Sequence, residues 1–172
     1  MKINLEETGK IWFTADWHLG HHHIIKYCNR PFKTTNEMNT TLIKNYNSKV
    51  GSHDIVYFLG DFSFLDTKST KQILSSLNGF KFLIKGNHDR KTNTAYRNLG
   101  FMEAYDKPII LEDFVLSHEP IDLQIYPNDL KFINGHLHNN IDCKDKQQFC
   151  VSVEKTNYFP ISLQEIKNIK GW

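Results

Sequence analysis

The sequence predicts an α/β domain in which two mixed β-sheets lie between helical layers, and three observations lead there. Short apolar runs rich in β-branched and aromatic residues recur at 11–13, 55–59, 80–84, 109–111, 114–116, 132–133 and 149–153, with the length and composition of buried strands. Helical periodicities separate several of these runs in the first half, which is the pattern of a parallel sheet with crossover helices. The runs on either side of Glu112-Asp113 leave no room for a crossover and therefore predict a hairpin.

Taken in order, the first strand runs into a polar loop that carries His21, His22 and His23 in succession. The first long helix opens at Thr34, with Glu37 at capping-box spacing and Met38, Leu42, Ile43 and Tyr46 on one face. After the second strand, Ile73, Leu74 and Leu77 mark a helix that stops before Gly79; a shorter helix spans 92–98 after the third strand. The hairpin and the last two strands follow. Segment 143–149, with Lys144, Asp145, Lys146 and two glutamines, reads as a solvated turn. Ser162 and Glu165 form a second capping-box pair, and Leu163, Ile166 and Ile169 continue into a C-terminal helix.

A chain of 172 residues can bury a core without disulfides, and no repeat or Pro/Gly/Ser-rich linker divides it, so a single domain over 1–172 is expected. Apolar residues make up 40%, yet no stretch approaches the roughly 20 needed to span a membrane. The opening Met1-Lys2-Ile3-Asn4-Leu5-Glu6-Glu7 has neither a secretory apolar run nor an Arg-rich transit character, which points to a cytoplasmic protein. Cys28, Cys143 and Cys150 are an odd count without close pairing and read as reduced thiols. A net charge of +2, from 21 basic and 19 acidic residues, neither implies nor excludes nucleic acid, and leaves monomer and homodimer equally open.

Nine histidines are many for this length, and eight of them fall beside strand ends. Asp16 and His18 follow the first strand, Gly60-Asp61 the second, and Gly86-Asn87-His88-Asp89 the third; His118 ends the hairpin, and Gly135-His136-Leu137-His138 follows the strand at 132–133. Ligands of open α/β sheets gather at the carboxyl ends of strands, so these junctions belong to one site. Carboxylates, one amide oxygen and several imidazoles without a thiolate suit borderline divalent ions: manganese first, with iron, nickel, cobalt or zinc as alternatives. Seven candidate ligands exceed what one four-coordinate ion uses and point to two metals. The glycines flanking them, Gly20, Gly86 and Gly135, suit sharp turns out of a strand. His53, at the start of the strand that ends near Asp61, belongs on the far side of the sheet.

The series Asp16-x-His18, Gly60-Asp61, Gly86-Asn87-His88-Asp89, His118 and Gly135-His136-x-His138 resembles the calcineurin-like metallophosphoesterase superfamily, with the match running from residue 16 to residue 138. The resemblance implies a four-layer αββα sandwich in which Asp16, His18 and His138 bind one metal, Asn87, His118 and His136 the other, and Asp61 bridges. It further implies two ions roughly 3.5 to 4 Å apart that activate a bridging water as hydroxide for in-line attack at phosphorus. His88 would then be the general acid, with Asp89 orienting its imidazole. Ser117 stands where the superfamily often has glycine, and Trp17 and Phe62 are bulky beside the ligands, which alters pocket shape rather than ligand identity.

His21 is an expected substrate contact, because related small phosphoesterases carry Gly-His after the first motif; Arg30 and Arg90 are expected phosphate contacts, since guanidinium binds phosphate bidentately. The expected activity is that of a metal-dependent hydrolase of phosphate esters, preferentially phosphodiesters of modest size and possibly of nucleotides, in a cleft that no insertion is long enough to cap. A phosphomonoesterase, a nuclease, a protein-binding scaffold and a sensor without turnover are the alternatives. The presence of His88 and all seven ligands argues against a scaffold.

Overall fold

A computed structural model of the protein describes residues 9–122, 125–127, 129–140 and 146–172. The first sheet has the order β4-β3-β2-β1-β9. Its strands β1 (Ile11–Thr14), β2 (Ile55–Phe58), β3 (Phe80–Ile84) and β4 (Glu103–Tyr105) are parallel, and β9 (Ile161–Ser162) runs antiparallel to β1. In the second sheet β5 (Ile109–Leu111) forms the predicted hairpin with β6 (Phe114–Ser117), and β7 (Lys131–Asn134) and β8 (Gln148–Cys150) continue parallel to β6. The fold is mixed α/β with two mixed sheets and helices, as expected.

Alternation along the strands divides the interior in two. Trp12 of β1, Val56 and Phe58 of β2 and Leu83 of β3 face a core shared with α1 (His22–Tyr27), α2 (Thr35–Lys49), α3 (Thr67–Ser76) and α4 (Asn93–Leu99). Their neighbours Phe13 and Ile84 turn the other way and meet Phe114, Leu116 and Ile133, so this second core lies between the sheets, with Ile166 of α5 (Leu163–Lys170) closing it. On the outer face of the second sheet Phe132 packs under Tyr126, ring centroids 5.6 Å apart.

Both predicted N-caps form. Ser162 and Glu165 make the complete reciprocal box at the start of α5. At α2 the box is half made: Thr34 accepts from the Glu37 amide at 3.1 Å, but the Glu37 carboxylate turns to the Lys33 amide at 2.8 Å.

Three elements were not anticipated. Strand β4 has three residues and β9 two, too few for a period to register, and α1 buries only Ile24 of its six residues. The strand expected at 149–153 ends at Cys150, because Ser152 leaves the second sheet to bridge Ala15 of the first. Cys28 and Cys150 are free and buried, and Cys143 and the first part of the 143–149 turn lie outside the described residues. No described helix is long and apolar enough to cross a membrane.

This topology positions the site. The registers Thr14↔Phe58↔Leu83 and Ser117↔Asn134↔Cys150 bring the carboxyl ends of six parallel strands to one edge. The Ala15–Ser152 bridge joins the two sheets there.

Candidate metal centre

All the strand-end residues singled out in the sequence arrive at that edge. Nine described non-glycine residues have positive φ, and five of them are Asp16 (59°), His18 (50°), Asp61 (54°), His136 (69°) and His138 (49°). Asp and His tolerate this region better than most residues, but it costs of order 1 kcal/mol or more each, and such strain gathers where side chains must be aimed at a shared point. Glycine is required beside them: a Cβ on Gly60, at φ 90°, would collide with the His118 ring, and one on Gly86 with the Asp61 carboxylate.

Three groups of donors form among the described residues. Asp16, His18 and His138 make one; Asp61 and His118 join Asp16 in a second; Cys28 and Glu154 join His138 in a third. Asp16 is fully buried. Its Oδ2 accepts from the Ser152 hydroxyl at 2.6 Å and the His136 amide at 2.8 Å, whereas Oδ1 has no hydrogen-bond partner among the described residues and faces His138 Nε2 at 3.9 Å. Asp61 Oδ1 accepts from the His88 amide at 2.9 Å, and its Oδ2 stands 3.5 Å from His18 Nε2 and 3.6 Å from His118 Nε2. Asp61 of the second group thus also reaches an imidazole of the first, while Asp16 belongs to both.

Hydrogen bonds decide which nitrogen each imidazole presents. His118 Nδ1 lies 2.8 Å from the Leu59 carbonyl, which can only accept, so Nδ1 carries the hydrogen and Nε2 keeps its lone pair. That lone pair meets Asn87 Oδ1 at 3.0 Å and His136 Nδ1 at 3.1 Å. His138 Nδ1 donates to Glu154 Oε1 at 3.0 Å, which turns Nε2 toward Asp16. Burial, helped by His138 and Arg30, pushes the His18 pKa down to about 2, so the ring is neutral. Burial raises the Asp16 carboxyl above its usual range despite His138 and His118 nearby. At His138 burial works against charge, but Cys28, Glu154 and Asp16 outweigh it and raise the pKa to about 10.

These observations test whether the residues suit divalent cations. Both ring nitrogens of buried His18 and the Oδ1 of Asp16 have no hydrogen-bond partner among the described residues, and acceptor atoms converge on His118 Nε2. Buried acceptors without donors are costly, and a cation between them removes the cost. The site fits. Saturating manganese should therefore raise the unfolding temperature by roughly 5–10 °C relative to chelator-treated protein, as binding at about 100-fold over Kd stabilises by about 2.7 kcal/mol. An unchanged transition in a thermal scan would contradict the assignment.

Two expected roles are corrected. Asp89, expected to orient the His88 imidazole, instead accepts from the amides of Asp61 (2.6 Å), Gly86 (3.0 Å) and Phe62 (3.3 Å) and from the Tyr96 hydroxyl (3.2 Å). Its lone pairs are spent on holding the two loops together. Arg30, expected to contact phosphate, is buried: it donates to the carbonyls of Asp16 (2.7 Å) and Trp17 (2.9 Å) and pairs with Glu154 at 2.7 Å.

The other candidates lie at the rim. His88 is exposed, with Nε2 4.0 Å from Asp61 Oδ2. The half-buried His21 caps α1 by accepting from the Ile24 amide, and its ring centroid is 5.8 Å from that of His18. Arg90 is exposed beside buried Asp89, and His53 is exposed at the opposite end of β2. Sequence reasoning missed Ser152, Glu154 and Phe64. The polar positions of Ser152-Val153-Glu154, which interrupt the last apolar run, were the signal for the first two.

Residues 9–167 match the family described as calcineurin-like phosphoesterase. The chain is 41% identical to an uncharacterised protein of Methanocaldococcus jannaschii over 165 residues, covering 91% of this chain and 89% of that one. It is 40% identical over 81 residues to the gene 66 protein of mycobacterium phage L5, a match covering 45% of this chain and 39% of the phage protein. The crystal structure of a protein of unknown function from Aquifex aeolicus superposes with a TM-score of 0.71 at 28% identity, covering 93% of this chain and 98% of that one.

Proposed function

This chain belongs to the calcineurin-like phosphoesterase family, and from that premise we propose that it is a cytoplasmic, single-domain hydrolase that prefers phosphodiesters and uses two divalent ions, manganese first. Asp16, His18 and His138 would hold one ion, Asn87, His118 and His136 the other, with Asp61 shared. The observation that carries this reading is the position of Asp61 Oδ2, at 3.5 and 3.6 Å from one imidazole of each group.

Bound divalent ions would supply a water of lowered pKa and offset the negative charge of the phosphoryl group. The chain's own residues do the rest. Leu59 and Glu154 face Nδ1 of His118 and of His138 as acceptors and so aim each Nε2 inward. Asp89 ties the amides of Asp61, Phe62 and Gly86 together, so the loops after β2 and β3 cannot part. His88, exposed and close to Asp61, is placed to give its Nε2 proton to the departing oxygen. His21 and Arg90 at the rim would touch the substrate's substituents, and Arg30 would act through the backbone of Asp16 and Trp17 and through Glu154, the partner of His138.

Support for a diester comes from a distinct surface on each flank of the centre, one aromatic and one a cavity. Phe64 and His21 border the His18 side, and a cavity of about 400 Å³ lined by Lys85, Asn87, Lys107, His118 and Pro120 borders the other. The test is hydrolysis of bis-p-nitrophenyl phosphate and p-nitrophenyl phosphate with manganese or with chelator. Metal-dependent turnover, faster on the diester, is expected, and His88→Ala should lower kcat by roughly 10²–10⁴-fold while metal content stays the same. Faster turnover of the monoester would overturn the diester preference. Absence of turnover with any divalent ion, in protein shown to bind two, would overturn the hydrolase.

A further inference from the structure

Phe64 is out of keeping with its surroundings. It lies three residues past Asp61, and 44% of its surface is exposed at an edge where polar groups gather. Its ring nevertheless packs against three imidazoles, with centroids 4.4 Å from His21, 5.2 Å from His88 and 5.5 Å from His18, the last stacked at 20°. A phenyl ring held among histidines and left open to water has a use where something flat and apolar comes to cover it.

The neighbours of Phe64 say which part of a substrate that is. His88 hands its proton to the oxygen leaving phosphorus, and Phe64 is in ring contact with His88, so the group against Phe64 is the one expelled. The cavity on the opposite flank has no Phe, Tyr or Trp in its lining. Beyond Phe64 the rings continue outward: His21 to His23 at 6.2 Å, and His23 to Tyr27 at 5.9 Å and 21°. Tyr27 is 75% exposed. His23 meets His21 edge-on at 65°, so the exposed rings of Phe64 and Tyr27 form two separate faces beside a phosphate-binding centre, which suits bases of nucleotides and single strands, held by stacking that tolerates any base.

Resting on the hydrolase reading above, we infer that the leaving group is a nucleoside whose base stacks on Phe64. A water gives up one proton to solvent as its oxygen bonds to phosphorus, the bond from phosphorus to the nucleoside oxygen breaks, and the His88 proton goes to that oxygen, releasing a nucleoside hydroxyl and a phosphate ester with one substituent fewer; His88 then regains a proton from solvent. Phe64 is the specificity residue of this step, and Tyr27 extends the platform when the leaving nucleoside is the end of a strand.

The experiment compares thymidine dinucleotides that keep both bases with ones abasic on the leaving side or on the retained side. Wild type should lose about tenfold or more in kcat/KM when the leaving-side base is removed, and much less when the retained-side base is removed. Phe64→Leu, which keeps apolar bulk without a π face, should bring the leaving-side ratio close to one, and Phe64→Trp should restore it. Tyr27→Ala should slow only oligonucleotides with two or more bases on the leaving strand; an effect on dinucleotides as well would confine the ligand to single nucleotides. A binding arm needs no turnover: with inorganic phosphate present, calorimetry should show thymidine binding about tenfold tighter than 2-deoxyribose in wild type, and equally in Phe64→Leu. Hydrolysis indifferent to the leaving-side base, or a preference that survives Phe64→Leu, overturns the stacking inference and leaves the hydrolase standing. Base-dependent binding without hydrolysis of any ester keeps the platform and removes the hydrolase.

Discussion

Asp61→Ala should lower kcat/KM on a phosphodiester by at least about a thousandfold, the equivalent of some 4 kcal/mol of transition-state stabilisation. Asp61 Oδ2 stands within 3.6 Å of both His18 Nε2 and His118 Nε2, so its charge serves both donor groups at once. Its Oδ1 accepts from the His88 amide at 2.9 Å and thereby sets where the proposed acid begins. Asp61→Asn separates these contributions. The amide keeps an acceptor for the His88 amide but carries no charge between the groups, so it should lose nearly as much activity as alanine while the fold is better preserved. Steady-state kinetics with metal counted by mass spectrometry checks this, and an alanine variant retaining a tenth of the activity with two metals bound would refute the shared-ligand assignment.

Glu154→Ala should destabilise the protein by about 3–5 kcal/mol, the cost of stranding a buried charge, and lower the unfolding temperature by roughly 10 °C or more. The Arg30 guanidinium is fully buried and pairs with Glu154 at 2.7 Å through Nη2 and 2.8 Å through Nε. Without Glu154 it keeps only the carbonyls of Asp16 and Trp17 and the Met38 sulfur, none of which carries charge. His138 loses the acceptor of its Nδ1 hydrogen in the same substitution, so metal affinity should fall a further 10- to 100-fold. The double replacement Arg30→Met with Glu154→Leu distinguishes the two effects: it removes both charges and should recover most of the stability without recovering the affinity. Thermal unfolding and manganese titration of the three variants supply the readouts. Equal metal affinity in wild type and Glu154→Ala would show that His138 needs no such partner.

The positions of the seven candidate ligands were legible because two local signals coincide at each of them. A short apolar run ends, and an Asp, Asn or His follows within a few residues; the parallel topology then carries those ends to a common edge. The hairpin at Glu112, which has φ 51°, was legible from spacing alone. Strands β4 and β9 were not, because three and two residues carry no measurable alternation. Helix α1 was hidden in the histidine run, since a six-residue helix with one buried side chain has no apolar stripe.

Asp89 and Arg30 show a different kind of limit. Both were identified as functional and both were assigned the wrong contact, because residue type and sequence neighbourhood say what a side chain can bind, not which way it points. Adjacency to His88 made Asp89 look like its partner, whereas the turn after β3 aims the carboxylate back at the amides of Asp61, Phe62 and Gly86. Arg30 precedes a proline on a loop and was expected to contact phosphate, but its partner Glu154 is 124 residues away.

By itself, then, the sequence determined most strand ends, the candidate donors and the family, because these depend on local periodicity and on which residue types interrupt it. Tertiary structure decided the rest: which nitrogen of His118 and His138 faces the centre, that Ser152 joins Asp16 across 136 residues, and that Phe64 stands open beside His88. Those outcomes depend on hydrogen bonds between segments distant in the chain, and short-range spacing along one segment carries no information about the donors and acceptors that another will bring.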